Sequence, residues 1–243
     1  MIAGLCALVV SVPEAQAGTF DVKGVEVTKG ESEIAVGAAW QRGFPVNSDF
    51  VGQSYEIGYG YGVTNWFKAG LKIGFEQPLA QRLEATVFGL EGQAVIVDPD
   101  KSRIGLAWYT GLDIGLKSDE SEVLTFGPLI SVKLADKLAL TLNPLLQKSW
   151  APSTSGIDFN YAWQIKRALA EAIALGAEGY GVIPDIGNAP GSDSQEHRLG
   201  PVLYLSGGDG KDGPKVEFQI GVLFGMTEAT ADTTGRAKMA ITW

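Results

Sequence analysis

The chain has almost none of the residues that build thiol and soft-metal chemistry: among its 243 residues are one Cys, one His and three Met. Cys6 falls in an apolar opening stretch that reads as a removable leader. The mature chain is then thiol-free, which excludes a disulfide framework and a Cys/His metal cluster. A Met-rich copper site would have only Met226 and Met239 to draw on. Outside the first residues no apolar run reaches about 18 residues, so no spanning helix is expected. Basic residues are also short, with Lys+Arg 19 against Asp+Glu 28 and a net charge of -9. That balance lacks the positive footprint that nucleic acid requires. No Gly-rich phosphate motif sits between a strand and a helix, so a nucleotide cofactor has no support. The spacing of Asp209 and Asp212 does not match an EF-hand loop, and these read as acidic turn residues. We expect no cofactor and no metal.

Three regions are expected: a signal peptide over 1–17, an N-terminal extension over 18–30 and one domain over 31–243. Ile2–Val12 is a short apolar core, Pro13 breaks it, and Ala15-Gln16-Ala17 offers an A-x-A cleavage site before Gly18. The leader carries no Lys or Arg ahead of its core, which leaves open a start upstream of Met1. Residues 18–30 carry several charges without sustained alternation, enough for one short strand at most.

From Glu31 onward the pattern is short alternating runs separated by turn residues. It continues to the end, where Ala237, Met239, Ile241 and Trp243 share one face and Arg236, Lys238, Ala240 and Thr242 the other. In Trp66–Phe75 the alternation sets Phe67, Ala69, Leu71, Ile73 and Phe75 against Lys68, Gly70, Lys72 and Gly74. A Lys on the lipid side near mid-bilayer costs roughly 2–4 kcal/mol. The apolar row must therefore face lipid and the Lys row a wet interior. Arg82–Val97 slips in its alternation around Phe88-Gly89-Leu90, which predicts a bulge at the Gly. Gln164–Ala177 is Ala-rich with some helical spacing, but strand–turn–strand with a turn near Leu169–Ala172 is preferred. The sum is an all-β fold, a closed antiparallel transmembrane β-barrel of about 12 strands. An even count places both termini on the periplasmic side. Trp66 and Trp243 then belong to the periplasmic aromatic girdle, and Trp40, Phe75, Trp150 and Phe224 to the outer one.

Chemistry is sparse. His197, beside Glu196 and Arg198, is the one candidate for a hydrolase, but no Ser stands two residues on and a polar loop histidine is the preferred reading. Outer-membrane phospholipases and lipid A deacylases are of similar size, and a hydrolase of that kind ranks behind the other readings. We expect no enzyme. What remains is the inner face: Glu56, Lys68, Lys72, Arg103, Tyr109, Asp113, Lys133, Lys166, Glu178, Arg198, Glu217 and Lys238 point inward if the lipid assignment holds. Such residues either line an aqueous path and set its selectivity or pair across a closed barrel. The set holds more basic than acidic members, which favours anions.

Gly43–Lys72, Phe126–Pro144, Gly179–Leu205 and Gly221–Trp243, with its LFG…T…A…DTT ending, resemble uncharacterised proteobacterial outer-membrane proteins. The ending is also similar to barrels grouped with the meta-pathway of phenol degradation. The resemblance implies export to the Gram-negative outer membrane, outer-membrane lipid as the surroundings, and insertion by the barrel-assembly machinery through Trp243. It also implies passive uptake of small molecules, hydrophobic or aromatic ones included, with no solute named. The alternative is a closed barrel with a structural or interaction role, its lumen filled by paired side chains, by residues 18–30 or by the loop Gly181–Glu196.

Overall fold

A computed structural model describes residues 19–43, 51–78, 81–117, 121–150, 156–208 and 213–243. The proposed leader, including Cys6, lies outside them. So do most of the connection at 42–49, the tip at 151–155 and the Gly/Asp turn at 209–212. The first six strands are β1 (Ser32–Arg42), β2 (Val51–Gly62), β3 (Phe67–Pro78), β4 (Glu84–Val97), β5 (Ile104–Gly115) and β6 (Val123–Ala135). Six more follow: β7 (Leu138–Ser149), β8 (Asp158–Ala170), β9 (Ile173–Ile183), β10 (Glu196–Gly207), β11 (Lys215–Gly225) and β12 (Thr233–Thr242). A short 3-10 turn at Ser192–Ser194 precedes β10. Each strand pairs antiparallel with the next, and β12 pairs with β1 to close the barrel.

Closure runs unbroken from Glu33↔Thr242 to Arg42↔Thr233, with Met239 opposite Val36. The other edge of β12 lies on β11, with Phe218 opposite Met239. Ser32 and Trp243 exchange both backbone hydrogen bonds, at 2.9 and 3.0 Å, so the two ends of the barrel domain meet at one rim. This is the pairing that the terminal alternation predicts.

The faces fall as the charge argument requires. Ile57, Tyr59, Leu71, Ile73, Trp108 and Ile220 are exposed on the outside, while Lys68 and Lys72 point inward to carboxylates. An apolar surface of that extent would be an aggregation hazard in water; as a continuous band around a closed barrel it is a lipid-facing wall. Trp66 and Trp243 are exposed at the rim of the termini and Trp40 and Trp150 toward the other rim, forming the two girdles. The Ala-rich stretch is the end of β8, a turn at 171–172 and the start of β9. Its backbone hydrogen bonds are made to neighbouring strands (Arg167↔Leu175, Ala168↔Ala174), and this tertiary pairing overrides helix propensity.

The bulge expected at Gly89 is elsewhere. The β3–β4 ladder shifts at Thr86, where Ala85 pairs Phe75 and Val87 pairs Gly74. The β4–β5 ladder shifts again at Ile96. Gly89 keeps the alternation and serves a different need: a Cβ there would lie 2.5 Å from both Lys72 Cε and Asp113 Oδ1. The missing side chain makes the room in which Lys72 lies over β4 to reach Asp113 on β5.

Candidate functional site: an occupied lumen

Residues 19–30 form no strand; they run inside the barrel. The segment leaves β1 through a turn at 29–30, where Gly30 donates to the Gly62 carbonyl (2.7 Å) and Glu31 to that of Thr28 (3.3 Å). It crosses Gly62 so closely that a Cβ there would lie 1.9 Å from the Thr28 carbonyl oxygen. Only glycine allows that passage.

Backbone groups taken out of water need partners, and a segment without a ladder must take them from side chains. The wall supplies them. Asn143 accepts the Lys23 N–H at Oδ1 (2.7 Å) and donates from Nδ2 to the Lys23 carbonyl (3.0 Å). One amide side chain thus reads both backbone groups of one residue, as a neighbouring strand would. Gln93 Nε2 donates to the carbonyls of Gly24 (3.1 Å) and Val25 (3.0 Å). The Tyr180 hydroxyl lies 3.0 Å from the Phe20 carbonyl and 2.6 Å from Glu178 Oε2, so its proton is shared between segment and wall. Val25 is 0 % exposed, packed with Ala107, Tyr109 and Leu129. Burying its two methyl groups contributes roughly 1.5 kcal/mol to holding the segment in place.

Ion pairs complete the attachment. Lys23 Nζ is 3.0 Å from Glu91 Oε1 and 4.8 Å from the centre of the Tyr109 ring. Asp21 Oδ1 is 2.7 Å from Lys238 Nζ. Burial alone would raise the Asp21 pKa, but the ammonium groups of Lys238 and Lys23 outweigh it and hold the carboxyl well below its usual range. Burial would likewise lower Lys23, and Glu91 above all holds its ammonium well above the usual value. Phe20 packs edge-on to Tyr180 (5.4 Å) and lies under the Arg198 guanidinium (4.4 Å). Arg198 is itself fixed by Gln41 (2.8 Å) and Glu196 (2.5 Å).

The wall holds two further charge clusters. Lys72 Nζ stands 3.2 Å from Asp113, 3.4 Å from Glu56 and 3.9 Å from Glu91, linking the neighbouring strands β2 to β5 along the inner wall. Glu178 is fully buried and takes hydrogen bonds from Gln164 (3.0 Å), Tyr204 (2.8 Å), Tyr180 and Arg236. Arg236, also fully buried, reaches Gln219 with its other terminal nitrogen (2.8 Å). Four side-chain donors thus stand where water would otherwise solvate this buried carboxylate.

Nearly all the inward residues named from the sequence meet in this interior. Lys68 pairs with Glu33 (3.3 Å), Glu217 with Lys215 (2.6 Å), and Lys166 lies 5.2 Å above the Tyr204 ring. The Tyr109 hydroxyl donates to Glu91 (2.6 Å). Lys133 lines the cavity near the β4–β5 turn and donates to the Pro99 carbonyl (2.6 Å). Arg103 stands apart: it is exposed in that turn and spends its guanidinium on the carbonyls of Lys133 and Leu134. The expected surplus of cations also changes, because carboxylates the sequence did not assign, Glu33, Glu91, Glu196 and Asp21, are paired with them. Glu91 was obscured by the slip in β4, and Asp21 by lying outside any alternating run. Arg236, Asn143 and Gln93 carried no signal beyond a polar residue on the inner face.

A cavity of about 580 Å³ remains between the segment and the wall, bounded by Glu33, Lys68, Thr141, Lys166 and Gln219 among others. His197 lies apart from it. Its ring nitrogens face the Tyr161 hydroxyl (2.7 Å) and Gln195 Oε1 (3.0 Å), which leaves neither for activating a serine.

No protein-family model matches the chain, and no curated protein matches it in sequence. Solved structures do match in fold. The COG4313 outer membrane channel from Pseudomonas putida F1 superposes with a TM-score of 0.62 at 11% identity, covering 91% of this chain and 98% of that one. The NanC porin gives 0.55 at 9% identity over 86% and 98% of the two chains. The KdgM porin, in complex with disordered oligogalacturonate, gives 0.54 at 11% over 87% and 98%. At these identities the likeness is one of architecture: the chain has the fold of outer-membrane β-barrels.

Proposed function

We propose that the protein is a passive channel of the Gram-negative outer membrane, its lumen gated by residues 19–30. The observation that carries this reading is the contrast between wall and segment. The wall is a closed hydrogen-bonded ladder, apolar outside and polar inside. The segment that occupies it has no ladder and, beyond the backbone bond from Gly30 to Gly62 at its exit, is held by side chains, beside a cavity already large enough for several waters or a small solute. Small molecules, hydrophobic or aromatic ones included, are the proposed solutes, supported by the resemblance of the terminal segment and by the apolar patch around Val25. The leader and Trp243 would serve export and insertion by the barrel-assembly machinery, with outer-membrane lipid as the surroundings.

A closed barrel with a structural role is the second reading, favoured by the number of contacts holding Lys23. Planar-bilayer recordings separate the two. A gated channel gives small, fluctuating conductance for the whole chain and larger, steady conductance when residues 19–28 are deleted. A barrel that stays silent after the deletion is closed by its wall, and the channel reading fails.

A further inference from the structure

The docked segment is an extended peptide, and the wall binds it as one. A plug that only filled space could fold on itself and satisfy its own backbone. Residues 19–28 form neither helix nor strand, and wall side chains read their main chain at four residues between 20 and 25. The Tyr180 hydroxyl faces the Phe20 carbonyl, Asn143 takes both main-chain groups of Lys23, and Gln93 holds the carbonyls of Gly24 and Val25. These bonds are blind to side-chain identity, as main-chain recognition of a peptide is.

Side chains are sorted by chemistry along the same path. The Phe20 ring lies between Tyr180 and the Arg198 guanidinium, and Asp21 meets Lys238. Lys23 meets Glu91 and the face of the Tyr109 ring, and Val25 enters the apolar cluster of Ala107 and Leu129. The pattern is aromatic at 20, acidic at 21, basic at 23 and aliphatic at 25. When the segment leaves, the wall still turns the Lys238 ammonium, the Glu91 carboxylate and two side-chain amides to the path. A hydrocarbon offers these groups nothing. A solute that carries amides and charges of both signs offers each of them a partner. Room for it exists, because the segment already lies there beside the cavity of about 580 Å³.

We propose that the lumen wall is a recognition groove for short extended peptides, that residues 20–25 occupy it as an internal mimic, and that free peptides pass through by displacing them. Passage rests on the channel reading above; the groove does not.

The probe is a peptide that copies residues 19–26 with both ends blocked. Its control carries a methyl group on the lysine main-chain nitrogen, which removes the donor to Asn143 and keeps every side chain and charge. The whole chain in proteoliposomes carries Val25→Cys in Cys6→Ala background, and labelling by a membrane-impermeant maleimide reports undocking. Free and tethered peptide make nearly the same contacts, so their affinities cancel. Peptide at the effective concentration of a short tether, on the order of millimolar, should then undock about half of the segments. The methylated control leaves a buried acceptor without its donor and competes about tenfold less well. With unaltered protein, radiolabelled peptide should enter the liposomes and the methylated form should lag, with arabinose as the reference solute.

Labelling that ignores the peptide, or responds equally to both forms, overturns the groove; arabinose that still enters then leaves the channel reading standing. Faster labelling without peptide entry, while arabinose enters, overturns the peptide as a solute. Arabinose that never enters, with or without peptide, overturns the channel reading and peptide passage with it.

Discussion

Asn143→Leu is the substitution from which most can be learned. The asparagine side chain is 1 % exposed and makes two hydrogen bonds to the backbone of Lys23, at 2.7 and 3.0 Å. Leucine has nearly the same size but can make neither. In the docked state the Lys23 N–H and carbonyl are then buried without partners, each at about 1–3 kcal/mol, whereas the undocked segment gives both to water. A loss of about 2–6 kcal/mol shifts the docked-to-undocked ratio by roughly 30- to 20,000-fold, since each 1.4 kcal/mol is tenfold. Single-channel recording reads that ratio as the fraction of time spent in the high-conductance state. A second readout is labelling of Val25→Cys by a membrane-impermeant maleimide, which should accelerate by the same factor when Asn143→Leu is added. If neither open time nor labelling changes, the amide clamp does not hold the segment, and docking must rest on the ion pairs and Val25 alone.

Three further outcomes follow from the same interior. Gating should not respond to pH between about 5 and 9. Asp21, whose pKa is lowered in the docked state, stabilises docking above its ordinary 3.8 and loses that effect only as pH falls through the lower, docked value. Lys23, whose pKa is raised, stabilises docking below its ordinary 10.5 and loses it only as pH climbs above that; open time that changes sharply near neutrality would contradict this. Arg236→Met should lower stability by about 3–5 kcal/mol by stranding the buried Glu178, with most of it regained on adding Glu178→Gln; heat-modifiable gel mobility checks both. Gly89→Ala should cost about 1–3 kcal/mol by pushing Lys72 off Asp113, and a midpoint of unfolding in urea equal to the parent's would refute the crowding argument.

The wall was legible because lipid imposes a hard rule on it. Phe67–Phe75 could be oriented from two lysines, and the twelve-strand closure from a terminal alternation, since a misplaced charge in hydrocarbon costs more than any propensity. Where that rule does not act, the sequence was silent. The segment at 19–30 carries no periodicity, because its backbone is satisfied by Asn143, Gln93 and Tyr180, residues 68 to 160 positions away along the chain. Glu91 was hidden by a shift of the ladder at Thr86, which moved the alternation of β4 out of step with its outer end. The lumen also holds unassigned charges of both signs, the carboxylates of Asp21, Glu33, Glu91 and Glu196 and the cations Lys23 and Arg236, whose pairing depends on strand neighbours that alternation does not give.

The central claim is that residues 19–30 sit in the lumen and control it. Locking the segment to the wall tests this most directly. A Cβ on Gly37 would lie 2.9 Å from Thr19 Cβ, slightly inside the usual disulfide spacing of about 3.8 Å, so a small shift joins the pair. In Cys6→Ala background, Thr19→Cys with Gly37→Cys should crosslink on oxidation. Bilayer recordings of the oxidised protein should then lose their large openings, and reductant should bring them back. A pair that never crosslinks, or openings that continue unchanged after crosslinking, would contradict the account.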